Sequence, residues 1–268
     1  MTLLHIVVLA LVQGITEFLP VSSSGHLALV PILTGWPDQG LVIDVAVHVG
    51  TLIAVVLYFW RDIGAMILGC WRFLRGRKDP GAKLAGLLIL ATVPVVVAGY
   101  VLNDHFPDTL RSLEVIAWAT LGFGILLFIA DKLGMTVRRI EHLHVSDAVI
   151  IGIAQVLALI PGTSRSGITM TAARIVGMER PDAARFSMLM SIPAILGAGT
   201  LKSLELIERG DAQLTSAALS AGGLAFIAAL IAIAALMAWL RRASFTPFVI
   251  YRVLIGVGLL ALSYGWLA

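Results

Sequence analysis

The sequence predicts an all-α integral membrane protein with six transmembrane helices and two re-entrant broken-helix pairs in an inverted-topology repeat. Three observations predict it: an apolar composition, runs long enough to cross a bilayer, and two short runs broken by similar motifs. Of 268 residues, 59% are hydrophobic and 13% charged, and the mean hydropathy is +0.97. Soluble domains are about 45–50% apolar and about 25% charged, so this chain needs lipid as its solvent. The length suits a single polytopic domain over 1–268 with short loops. A net charge of +3 would hint at nucleic acid in a soluble protein. Here the basic residues sit in short loops between apolar runs, so topology explains them and no nucleic-acid partner is expected. Cys70 is the only cysteine, which excludes an intramolecular disulfide, and with no CxxC it is expected to be a packing residue.

In chain order, the run 3–12 is too short to span before Gln13, Thr16 and Glu17 interrupt it. No Lys or Arg precedes it, which argues against a signal peptide. Full spans are expected at 41–60, 84–102 and 113–130. The run 148–160 is again short, broken by Pro161-Gly162-Thr163-Ser164-Arg165-Ser166-Gly167. Spans at 184–201, 217–240 and 247–267 complete the set. Strands are excluded, because open sheet edges in lipid leave backbone groups unpaired.

Lys and Arg set the orientation. The 61–83 segment holds Arg61, Arg72, Arg75, Arg77, Lys78 and Lys83 and is placed in the cytoplasm, with Lys132, Arg138, Arg139, Arg241 and Arg242 on the same side. The segments 103–112 and 202–213 fall outside. Sliding the chain by 142 positions, the offset of Gln155 from Gln13, also superposes Ser22 on Ser164, Ser24 on Ser166, Gly25 on Gly167 and Gly35 on Gly177. Three spans separate the copies, an odd number. The copies, 1–132 and 145–268, are therefore expected to be inverted, with their breaks meeting near the midplane.

The breaks carry the chemistry. Each places a Ser/Gly-rich turn where a half-helix begins, and free N–H groups with the positive end of the helix dipole there favour a phosphate. Ser22, Ser24, Gly25, Ser164, Ser166, Gly167 and Thr169 are the candidate substrate-binding residues; serines at such positions also commonly serve as caps. Gln13 and Glu17 lie four apart on one helix face, and their oxygens are hard ligands suited to Mg²⁺ or Ca²⁺ with substrate phosphate completing the shell. Arg165 offers a planar fork for phosphate. Ser23 and His26, three apart, supply a hydroxyl nucleophile and an acid/base. Either His26 or Glu17 serves as the base. An ionisable side chain at bilayer depth costs at least ~2.5–3.5 kcal/mol, so Glu17 and Arg165 mark function or an ion pair across the repeat axis. Asp44 and His48 read as local i, i+4 partners. Tyr251 and Arg252 either sit at the interface or line the site.

Residues 13–26 (QGITEFLPVSSSGH) and 161–167 (PGTSRSG) resemble the two signature motifs of the undecaprenyl-diphosphatase family, also known as the bacitracin-resistance proteins. The likeness extends to 44–51 (DVAVHVGT), 58–61 (YFWR) and 244–252 (SFTPFVIYR). It implies hydrolysis of undecaprenyl pyrophosphate, a polyprenyl lipid, to undecaprenyl phosphate with a divalent cation. It also implies a place in the bacterial cytoplasmic membrane with the site opening to the extracytoplasmic side. By resemblance Glu17, Ser23, His26 and Arg165 are catalytic, with Gln13, Ser164 and Thr169 also at motif positions. His48 stands where relatives often carry Gln, and an amide at Gln13 leaves Glu17 the greater share of metal binding.

Two rival readings share some of these features. Broken helices in inverted repeats also build secondary transporters and lipid-head flippases, which need no nucleophile. The type-2 phosphatidic acid phosphatases share SGH and SR elements but expect His and Asp where this chain has Thr171 and Ile175. Close-packing clusters at 197–199 and 256–258 permit helix association, so a homodimer is compatible with the sequence.

Overall fold

The computed structural model describes residues 2–37, 39–102, 112–134, 137–208 and 216–266, with backbone only for 201–208. The loop expected at 103–112 lies almost wholly outside the described residues, as do the side chains of 202–213. Among the described residues the protein is helical throughout: α1 Leu3–Thr16, α2 Ser23–Thr34, α3 Gly40–Tyr58, α4 Trp60–Leu74, α5 Pro80–Leu102, α6 Leu113–Leu133, α7 Val145–Val156, α8 Arg165–Ile175, α9 Arg180–Glu208, α10 Ser216–Leu240 and α11 Thr246–Ser263. Five of these, α3, α5, α6, α10 and α11, are long and apolar enough to cross a membrane. The sixth expected span falls within α9, whose early turns carry Arg180, Asp182 and Arg185 and which is not among the five.

Local chemistry sets the helix starts. Thr2, Ser112, Ser22 and Ser164 accept N–H bonds from the first turns of α1, α6, α2 and α8 respectively, the usual way of satisfying the orphan donors there. The helical face expected for Gln13 and Glu17 is present: α1 runs through Gln13 to Thr16 with Glu17 as its C-cap, and Thr16 donates its hydroxyl to the Val12 carbonyl at 2.6 Å, so the polar residue is paired within the helix. One expectation is corrected. The basic segment 61–83 is not simply a loop. Its apolar Ile63, Met66, Ile67, Cys70 and Leu74 recur at helical spacing and build α4, with Asp62 in the first turn and Arg72 in the last, matching the helix dipole. Cys70 is consequently exposed on α4 rather than packed.

The short helices are held by long ones. α1 lies against α10 and α7 against α5, while α6 pairs with α11. Glycine allows the close approaches: a Cβ on Gly14 would sit 2.6 Å from that of Ala228, and one on Gly152 would sit 2.6 Å from the Ala91 carbonyl. Gly256 is likewise used within the chain, against Leu121, whereas a Cβ on Gly199 or Gly258 would meet nothing within 4 Å among the described residues. The largest core cluster gathers Phe18, Leu127, Ile151, Met170, Phe186 and Phe245 around α8. A second joins α1, α2, α3 and α10 through Leu9, Leu27, Val47 and Ala221, and a third joins α2, α6 and α11 through Leu29, Ile116 and Leu259. Both breaks are therefore walled by packed helices.

Candidate active site

Ser22 and Ser164 are the only non-glycine residues with positive φ among the described residues, at 76° and 72°. Such a conformation costs on the order of 1–3 kcal/mol and persists only where the surroundings enforce it. Each serine caps the half-helix that follows, Ser22 Oγ accepting from the Gly25 N–H at 3.3 Å and Ser164 Oγ from the Gly167 N–H at 3.1 Å. Each also lies beside the serine two residues on, at 3.4 Å to Ser24 and 3.2 Å to Ser166. A Cβ on Gly25 would stand 3.6 Å from Gly162 Cα, so the two breaks meet backbone to backbone.

Where they meet, Glu17 is buried and holds three partners. Arg165 Nη2 donates to its Oε1 at 3.1 Å, Ser23 Oγ donates to its Oε2 at 2.7 Å, and Gln13 Nε2 donates to the same oxygen at 2.9 Å. The acid, hydroxyl and amide come from the first break, and the guanidinium comes from the second. Arg165 also donates through Nη1 to the Ser187 carbonyl at 3.3 Å, which leaves further N–H groups of the fork for an anion.

His26, expected beside Ser23, faces elsewhere. Its Nδ1 donates to the Ser22 carbonyl at 2.6 Å, and its Nε2 meets the Tyr251 hydroxyl at 2.6 Å. Ser166 and Thr169 are buried and bonded internally, Ser166 to the Leu19 carbonyl at 2.8 Å and Thr169 to Ser187 Oγ at 2.6 Å. Asp44 and His48 are local partners, but through the backbone: His48 Nδ1 donates to the Asp44 carbonyl at 2.7 Å, and the Asp44 carboxylate accepts from Gln39.

Arg252 was left open by the sequence, and the structure places it under both breaks. It is fully buried and donates to four carbonyls: Thr120 at 3.0 Å, Pro20 at 3.3 Å, Ala119 at 3.3 Å and Gly162 at 3.0 Å. Pro20 belongs to the first break and Gly162 to the second, so one guanidinium ties the two turns together. Its signal in the sequence was an arginine early in an apolar run, where a charge is costly unless it is bonded.

Among the described residues no group of three or more His, Cys, Asp or Glu side chains is placed to hold a metal. A smaller oxygen site does fit the fold. Gln13 Oε1 is buried with no hydrogen-bond partner, on the helix face that also bears Glu17, and an amide and a carboxylate oxygen are hard donors of the kind Mg²⁺ takes together with substrate phosphates.

The chain matches the family described as Bacitracin resistance protein BacA over residues 6–258. It is 58% identical to a protein of Rhodospirillum rubrum named undecaprenyl-diphosphatase 1, over 98% of this chain and 96% of that one. It is 54% identical to the undecaprenyl-diphosphatase of Ruegeria pomeroyi and 51% identical to that of Roseobacter denitrificans, over 98% of this chain and the whole of each relative. With the family matched nearly end to end and the apolar helices it requires in place, this chain belongs to the BacA family of multi-pass membrane proteins.

Proposed function

We propose that this protein hydrolyses undecaprenyl pyrophosphate to undecaprenyl phosphate and inorganic phosphate, returning the lipid carrier to cell-wall synthesis. One observation carries the reading beyond the names of relatives: Ser23, Glu17 and Arg165 converge from two breaks into a hydroxyl–carboxylate–guanidinium cluster. A transporter has no need of a hydroxyl poised on a base. Ser23 Oγ attacks the terminal phosphorus as its proton passes to Glu17 Oε2, and the bond from phosphorus to the bridging oxygen breaks, releasing the lipid phosphate. Arg165 turns its fork to the phosphoryl oxygens and stabilises their charge. Water then hydrolyses the phosphoserine and frees phosphate.

Gln13 and Glu17 are the residues that would hold a divalent cation, Mg²⁺ or Ca²⁺, which when bound supplies charge neutralisation to the pyrophosphate. Ser22, Ser24, Gly25, Ser164 and Gly167 form the two phosphate-binding turns. Ser166 and Thr169 support them from behind.

The proposed frame is six spans, α9 included, built from inverted repeats over 1–132 and 145–268. Two features support it: α1 meets α10 as α7 meets α5, and the two capping serines share one unusual backbone conformation. The protein would lie in the bacterial cytoplasmic membrane with the site open to the extracytoplasmic side. A homodimer would use the open faces at Gly199 and Gly258. Impermeant thiol labelling of single cysteines placed at 72–83 and at 104–111, in a Cys70→Ser background, should react from opposite sides; labelling of both from one side contradicts the inverted repeat. The function itself is tested by phosphate release from undecaprenyl pyrophosphate by purified protein, with and without chelator. Release that chelator suppresses is expected, and no release above the protein-free rate contradicts the proposal.

A further inference from the structure

His26 and Tyr251 stand outside the Glu17–Ser23–Arg165 cluster yet border the same site. The Ser22 carbonyl only accepts, so His26 Nδ1, 2.6 Å away, carries a hydrogen. In the neutral ring Nε2 is then bare, and the Tyr251 hydroxyl 2.6 Å from it is the donor. The two rings stack with planes 10° apart and centroids at 5.6 Å. Three features of the chain converge on this one imidazole: the positive-φ turn at Ser22 that presents its carbonyl, the start of α2, and a side chain of α11.

Resting on the proposed phosphatase reading, we propose that Tyr251 is a positioning residue for that reaction. Its O–H and the Ser22 carbonyl lock His26 in the Nδ1–H tautomer and hold Nε2 against the phenol oxygen, on the side of the site assigned to the lipid-linked phosphate. Glu17 is 7% exposed and Tyr251 is 40% exposed, and we take the more buried cluster as the inner end of the site and the imidazole–phenol pair as the outer end. A pyrophosphate whose polyprenyl chain stays in the bilayer enters terminal phosphate first, which leaves its second phosphate beside His26. With Nδ1 bound to backbone, Nε2 is the one ring atom able to exchange a proton with that phosphate, and it does so once the Tyr251 hydroxyl that holds it in the resting site turns its hydrogen aside. Which nitrogen is free is set by the partner of the other.

The test uses the full chain in nanodiscs, labelled with ¹⁵N-histidine, and needs no substrate for its first arm. His26, assigned by subtracting the His26→Gln spectrum, is expected as the Nδ1–H tautomer at neutral pH, and Tyr251→Phe, which leaves the Ser22 carbonyl on Nδ1, should keep that tautomer while shifting the Nε2 resonance as its hydrogen bond is lost. The second arm is turnover of undecaprenyl pyrophosphate. Tyr251→Phe keeps the stacked ring and should lower kcat about tenfold at unchanged KM, the size of one positioning hydrogen bond. An Nε2–H tautomer in the unsubstituted protein, or Tyr251→Phe with full kcat, would overturn the proposal. A tautomer as expected in a protein with no phosphatase activity would instead overturn the proposed function, because the first arm is read without substrate.

Discussion

The two breaks are alike in backbone and unlike in side chains. Ser22 and Ser164 stand 142 residues apart with φ of 76° and 72°, each capping its half-helix through the glycine three residues on. At the same offset, Glu17 corresponds to Leu159, Ser23 to Arg165 and His26 to Ile168. The first break therefore owns the acid, the hydroxyl and the imidazole, and the second contributes the guanidinium. Backbone geometry that presents N–H groups to an anion is useful to any phosphate and has been kept twice. The proposed reactive set is needed once, and with that set in one turn and its counter-charge in the other the proposed site would depend on both.

That division orders the effects of substitution. Ser23→Ala removes the proposed nucleophile and should cost at least about a thousandfold in kcat, with substrate binding retained in a pull-down on lipid substrate. A loss of only about tenfold would make Ser23 a hydrogen-bond donor and give the attack to water. Glu17→Gln leaves Ser23 without a base and offers a hard cation a poorer oxygen. Turnover should fall by about 10²–10⁴-fold, and the metal titration should shift to higher concentration. An unshifted titration would remove Glu17 from the metal site. Arg165→Lys keeps the charge but loses the fork, and should cost about 10²–10³-fold in kcat with little change in melting temperature. Near-normal turnover would reduce Arg165 to a counter-charge for Glu17.

The smallest effects probe the shared backbone. A Cβ on Gly167 would lie 2.8 Å from Nη1 of Arg252, whose guanidinium is held by four carbonyls, whereas one on Gly25 would meet Ser22 Oγ at 3.2 Å. Gly167→Ala should therefore destabilise the protein by about 1–3 kcal/mol and Gly25→Ala by less, as read from thermal unfolding in detergent. Equal shifts would mean that Arg252 yields easily and is no clasp.

Much of this was legible in the sequence because membrane proteins write in long apolar runs. Five spans stand close to where the hydropathy placed them, and both half-helix starts fall on the expected serines. The charged segment 61–83 misled because its basic residues read as topology signal, while the helical spacing from Ile63 to Leu74 went unused. At the site, Ser23 and His26 share a helix face, yet the structure turns them to different partners. Spacing fixes which residues are neighbours on a helix and cannot see Tyr251, 225 residues later. The role of Arg252, though not its presence, was hidden for the same reason: its partners are carbonyls of α6 and the two breaks, and no side-chain pattern announces a bond to backbone.

The central claim is that the first break performs the chemistry through Ser23 while the second holds the phosphoryl group. Rapid-quench turnover of undecaprenyl pyrophosphate labelled in its terminal phosphate tests it most directly. Labelled phosphoserine at Ser23 should form within a single turnover, vanish in Ser23→Ala, and form more slowly in Arg165→Lys. Full turnover with no phosphorylated enzyme at any quench time would contradict it.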